Sequence, residues 1–133
     1  MSVEDKLAIH ELIALYGHVI EERQFSRTAE IFSEDAIYDV TDFGKGIVIG
    51  HADIVEIWSD PASIHLAHHA TIVVINEDGS GAVRVVSKGL GLRLDGIVGS
   101  VTYRDVVEQR QGGWRITKRV AKLRRPDGIP SIS

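Results

Sequence analysis

Three histidines stand close together in mid-chain, at His65, His68 and His69. Imidazole is the side chain best suited to moving a proton at neutral pH, because its ordinary pKa lies near neutrality. The H-x-x-H-H spacing also raises metal binding. It is not the helical zinc signature, and it opens a strand-forming run, so no metal site is assigned. Successive strand side chains alternate between faces, so His68 and His69 point opposite ways and only one of them can face inward. His68 is either a proton-transfer group or a structural histidine at a strand start. His65 is placed in the preceding loop, where it remains a candidate for ligand contact.

Tyr38 and Asp39 are neighbours on a short strand and face opposite ways, which leaves Tyr38 as the pocket candidate. Tyr103 and Asp105 share one face of a later strand. Asp105 is either a pocket carboxylate or the partner of Arg119 on the last strand. Trp58 belongs to the core or to a pocket wall. Tyr16 is either a hydroxyl donor or a core tyrosine. Five residues along a helix turn it by about 140°, so Tyr16 and Glu21 do not share a face. They converge only if the helix end unwinds or a sheet wraps around it.

Local pattern assigns the elements that must position these groups. Ser2 followed by Asp5 resembles a helix N-cap with an acidic first turn. Ile9, Leu12, Ile13, Tyr16, Val19 and Ile20 then recur at helical spacing. The charged run from Glu21 to Arg23 closes this helix. Ser26 is expected to cap a short second helix presenting Ala29, Ile31 and Phe32. Ala36 to Val40 is predicted as a strand, and Thr41 to Gly50, with three glycines, as a hairpin or bent edge. Ile54, Ile57 and Trp58 predict a third helix ended by Pro61. Thr71 to Ile75 has the composition of a buried strand. Ala82 to Leu94 is a long strand in which Gly89 and Gly91 suggest a bulge or kink. Ser100 to Gln109 and Trp114 to Leu123 complete the strands, with Asp-Gly and Gly-Gly turns between them. Segregated helices and hairpins indicate an α+β fold whose long sheet curls around the first helix and leaves an open mouth.

The chain has 133 residues, expected to form one domain over 1–124 with a tail at 125–133. Apolar residues make up 44%, enough to fill a core without staples. There is no cysteine, which excludes disulfides, thiolate zinc sites and thiol nucleophiles. A net charge of −4 argues against nucleic-acid binding, which depends on neutralising phosphates. The basic positions Lys118, Lys122, Arg124 and Arg125 interleave with apolar ones, as on a solvated strand face. No stretch approaches the roughly 18 apolar residues of a membrane span, and no signal-peptide pattern is present, so a cytoplasmic location is expected.

The stretch "LIALYGHVIEERQFSRTAEIFSEDAIYDV" resembles the opening of SnoaL-like domains of the nuclear transport factor 2-like superfamily. "GIVIGHADIVEIW" resembles their glycine-led third helix. "HHATIVVINEDGSGAV" is similar to their histidine-led strand and acidic-glycine turn. "YRDVVEQRQGGWRITKRV" is similar to their closing hairpin. The resemblance runs from about Leu7 to Arg124. It implies a cystatin-like cone, a curved antiparallel sheet wrapped around N-terminal helices. The branch includes polyketide cyclases, scytalone dehydratase, bile-acid dehydratases, steroid isomerases and non-catalytic modules. Its enzymes work inside the cone without metal or organic cofactor. A histidine or carboxylate moves a proton beside a carbonyl while tyrosines polarise the oxygen.

Carried onto this chain, the resemblance makes His68 the general base or acid and Tyr16 and Tyr38 the oxygen-polarising donors. Glu21 stands where the family usually has aspartate, and would orient His68 and stabilise imidazolium. Ile20 and Val40 stand where scytalone dehydratase has tyrosines, and are expected on the ligand wall with Trp58, His65, Tyr103 and Asp105. Departures are visible. Between Ala82 and Leu94 there is neither a second pocket histidine nor a carboxylate. The expected activity is a cofactor-independent lyase or isomerase acting on a hydrophobic, oxygenated small molecule. The alternative is a non-catalytic module that binds a small ligand or dimerises. Homodimerisation through the outer sheet face is expected from the family.

Overall fold

In a computed structural model, which describes residues 1–132, Ser2 and Asp5 form a reciprocal capping box. It starts helix α1 (Val3–Glu21), and Asp5 also accepts the indole N–H of Trp114 at 3.1 Å. The predicted apolar stripe is buried, from Ile9 and Ile13 through Tyr16 to Val19 and Ile20. Full burial of each such aliphatic side chain contributes roughly 1.5–3 kcal/mol.

The second helix is a 3₁₀ segment, Phe25–Glu30, and its cap position is Gln24 rather than Ser26. Phe32 belongs to strand β1 (Phe32–Asp39), which begins four residues before the expected Ala36. The glycine-rich stretch that follows contains a 3₁₀ turn and the short strand β2 (Ile47–Ile49), leading into helix α2 (His51–Ser59). Strands β3 (His65–Glu77), β4 (Val83–Arg93), β5 (Val98–Arg110) and β6 (Gly113–Leu123) follow in hairpin succession.

The six strands form one sheet in the order β2-β1-β6-β5-β4-β3. β1 and β6 run parallel, and the remaining neighbours are antiparallel. β3 is therefore an edge strand, not the buried strand its β-branched run suggests. Ile72 and Val74 are exposed. Its register slips against β4 after His65 and again after Thr71, where Ile72 takes φ +52°. β4 stays in regular register with β5 through Gly89 and Gly91, so these glycines make no bulge. Their role is spatial. A Cβ on Gly89 would lie 2.6 Å from Cε2 of Tyr103, and one on Gly91 would lie 3.2 Å from Cδ2 of His65. Both rings rest on β4 because side chains are missing there.

α1 lies across the concave face and closes on β3 through a single glycine. A Cβ on Gly17 would stand 2.9 Å from the carbonyl oxygen of His68. Of the expected tail, Arg125 pairs with Asp42, Pro126–Gly128 forms a 3₁₀ turn, and Ser133 lies outside the described residues. No helix among the described residues is long and apolar enough to cross a membrane.

Candidate functional site

The end of α1, the connection after β1, helix α2 and the concave face of the sheet surround a cavity of about 380 Å³. α1 contributes Tyr16 and Ile20, and Tyr38 and Val40 come from β1 and its end. Trp58 stands on α2, and His65 and His68 on β3. Tyr103 stands on β5. Each of these was a sequence candidate. Glu21 and Asp105 are not on the wall. His65 is the first residue of β3 rather than part of a loop. His69 is exposed on the other side of the strand, as alternation requires.

At the closed end the hydroxyls of Tyr16 and Tyr38 are 2.6 Å apart. Trp58 Nε1 donates to the Tyr38 hydroxyl at 3.4 Å. One of the two hydroxyl protons is used between the tyrosines, so the other is free to donate to a ligand oxygen. Burial is the main cause that holds Tyr16 well above the ordinary tyrosine pKa, with Tyr38 and Tyr103 adding to it. Burial likewise pushes Tyr103 up to about 12, against the opposing pull of Arg119. Both therefore remain protonated donors at neutral pH.

Beneath this group lies Arg119, wholly buried although its neighbours Lys118 and Lys122 are exposed. Its guanidinium sits 4.2 Å from the Tyr16 ring centroid and 4.0 Å from that of Tyr103. Asp105 receives two hydrogen bonds from it, at 2.7 and 2.8 Å. Burial opposes the charge, and the Asp105 carboxylate outweighs it, so Arg119 is held above its ordinary pKa. Of the two roles open to Asp105, the structure shows the ion pair.

At the mouth the two imidazoles lie with ring centroids 4.7 Å apart. Burial, and secondarily a charge on His65, lower the His68 pKa to about 4, with Glu21 opposing. His68 is therefore neutral at pH 7. Its Nδ1 is buried without a hydrogen-bond partner among the described residues. Glu21 does not reach this ring. Its carboxylate accepts the backbone N–H of His68 at 2.7 Å. The physical reason is the edge position of β3, whose outward N–H needs an acceptor that the helix end supplies. His65 is oriented differently. Its Nδ1 lies 2.9 Å from the carbonyl oxygen of Ser63.

Several wall residues were not singled out from sequence. Val101, Ala121 and Leu123 occupy strand positions two apart from wall residues, so alternation around Tyr103 could have found Val101. Phe43, Lys45 and Arg93 reach the mouth from loop and strand-end positions that carry no such signal. Lys45 is paired with Asp60, and Arg93 with Asp95. Among the described residues no group of three or more His, Asp or Glu is placed to hold a metal ion.

An α+β cone with a curved, unclosed sheet around an aromatic-lined cavity is the cystatin-like, nuclear transport factor 2-like class. Solved structures agree. A nuclear transport factor 2-like protein with a cystatin-like fold from Novosphingobium aromaticivorans is 24% identical, with a TM-score of 0.80 over 96% of this chain and 85% of that one. A proposed aromatic ring hydroxylase from the same organism is 26% identical, with a TM-score of 0.76 over 95% of this chain and 93% of that one. A protein of unknown function from Nostoc punctiforme, also cystatin-like, is 17% identical, with a TM-score of 0.79 over 95% and 96%. No curated protein matches the chain. The SnoaL-like domain model matches residues 1–120, and the chain belongs to that family.

Proposed function

We propose that the chain is a cofactor-independent lyase or isomerase that moves a proton on a hydrophobic, oxygenated small molecule held in the cavity. The observation that carries this reading is the pairing of two adjacent imidazoles at the mouth with a hydroxyl pair holding one unspent proton inside. An imidazole lone pair takes the proton from a carbon beside a carbonyl. The C–H electron pair becomes the double bond of an enolate, whose oxygen accepts the tyrosine hydrogen bond. The imidazolium then returns the proton to another carbon, or to a departing hydroxyl that leaves as water. Tyr16 and Tyr38 are the polarising donors, and Ile20, Val40 and Trp58 provide the apolar wall. His68 is the group that the family resemblance names as base.

The test is hydrogen–deuterium exchange beside the carbonyl of 1-tetralone in D₂O, followed by proton NMR. Exchange faster than in buffer is expected, with a return to the buffer rate when His65 and His68 are both replaced by Asn. Exchange no faster than in buffer sinks the reading for this class of ketone.

One observation favours the alternative of a non-catalytic binding module: no carboxylate hydrogen-bonds to either imidazole ring among the described residues. In that case 1-tetralone would quench Trp58 fluorescence and leave unexchanged. We also infer a homodimer formed through the outer sheet face, supported by exposed apolar side chains such as Ile72, Val74 and Leu90. Sedimentation at micromolar concentration would show the monomer mass alone if that inference is wrong.

A further inference from the structure

We propose that His65, rather than His68, is the catalytic residue that carries the transferred proton, with His68 its neutral neighbour. This rests on the reading of the cavity as a proton-transfer site, and deepens it by choosing between the two imidazoles.

The first argument is orientation. A backbone carbonyl can only accept, so the Ser63 oxygen at 2.9 Å places the proton of neutral His65 on Nδ1. Nε2 then holds the lone pair. The same contact remains a good hydrogen bond after Nε2 takes up a proton, so the base needs no reorganisation in either state. His68 lacks this. Its Nδ1 is buried without a partner among the described residues, and Glu21 holds its backbone instead of its ring.

The second argument is space. The His65 ring lies over Gly91, with a Cβ there falling 3.2 Å from Cδ2 and 3.5 Å from Nε2. The ring is seated on the cavity wall because this strand position has no side chain. The third argument is charge. Two imidazoles 4.7 Å apart share one proton more readily than they hold two. The charged groups around the pair are Arg93 from β4, held by Asp95, and Lys45 from the connection after β1, held by Asp60. From α1 comes Glu21, committed to the His68 amide, and from β3 itself comes His69, on the opposite face. Burial disfavours a charge on His68, whose pKa is lowered to about 4.

The experiment has two arms. Long-range ¹H–¹⁵N correlation spectra of the labelled full chain, taken from pH 8 down to pH 5.5, show the tautomers directly. The expected result is an Nδ1-protonated His65 whose Nε2 receives the first proton, while His68 stays neutral. An Nε2-protonated tautomer at His65, or His68 protonating first, overturns the proposal. This arm needs no substrate, so it decides the matter even where 1-tetralone exchange fails. In the exchange assay, His65→Asn is expected to lose about 100-fold and His68→Asn less than about tenfold. The reverse order overturns it. Gly91→Ala keeps the imidazole but crowds its seat, and is expected to lose activity while the far-ultraviolet spectrum stays native. Full activity in Gly91→Ala counts against the proposed seat.

Discussion

At the closed end of the cavity Arg119 and Asp105 are fully buried, doubly hydrogen-bonded to one another and covered by two tyrosine rings. At the mouth His65 and His68 are half-buried on an edge strand, and a single hydrogen bond to backbone orients one of the two rings. The ion pair has lost its hydration and offsets part of that cost through two short charge-assisted bonds, which hold Arg119 in its charged form. The imidazoles are half-open to solvent and stand outside any such ion pair. The contrast separates a scaffold of fixed charge from a rim of variable charge. Proton chemistry needs both, because a shifting charge is useful only against donors that stay where they are.

Breaking the closed end should have the largest effect. Asp105→Asn leaves a buried guanidinium without its counter-charge and is expected to cost about 3–5 kcal/mol in urea unfolding. Asp105→Leu combined with Arg119→Met should recover most of that loss. A near-native Asp105→Asn would show that the pair is not the scaffold described. Next comes Gly89→Ala. Its Cβ meets the Tyr103 ring, which Arg119 holds in place, and a loss of about 1–3 kcal/mol is expected. Gly91→Ala meets the freer ring of His65 and should cost less than about 1 kcal/mol. Equal costs at the two glycines would erase the difference between the two ends.

An effect smaller than the loss of the ion pair concerns pH. The His68 pKa falls from about 6.5 unfolded to about 4 folded, chiefly through burial. Between those values the unfolded chain binds more protons, so this contribution is complete above pH 6.5 and is lost as pH falls toward 4. Solvent at the mouth screens it, leaving roughly 1–2 kcal/mol. Urea midpoints at pH 7 and pH 4.5 should differ less in His68→Asn than in the native chain. The smallest change is expected for Glu21→Gln. The amide oxygen still accepts the His68 N–H, so stability should stay within about 0.5 kcal/mol, whereas Glu21→Ala should lose about 1 kcal/mol. A marked loss of exchange activity in Glu21→Gln would restore the carboxylate to a role in the chemistry.

Much of this molecule is determined locally. The Ser2–Asp5 cap, the 3.6-residue stripe of α1 and the Asp-Gly and Gly-Gly turns specify helix and hairpins from neighbouring residues alone. Alternation within strands correctly sends Tyr38 and Asp39, and His68 and His69, to opposite faces. The tertiary structure decided what alternation cannot. It made β3 an edge, which gave Glu21 a backbone donor in place of an imidazole. It buried Arg119 within an otherwise solvated basic run, because Asp105 stands opposite in register. It used Gly89 and Gly91 as seats for aromatic rings rather than as kinks. Each of these outcomes depends on contacts between residues far apart in the chain, and such pairings come into being only when the sheet closes around the helix.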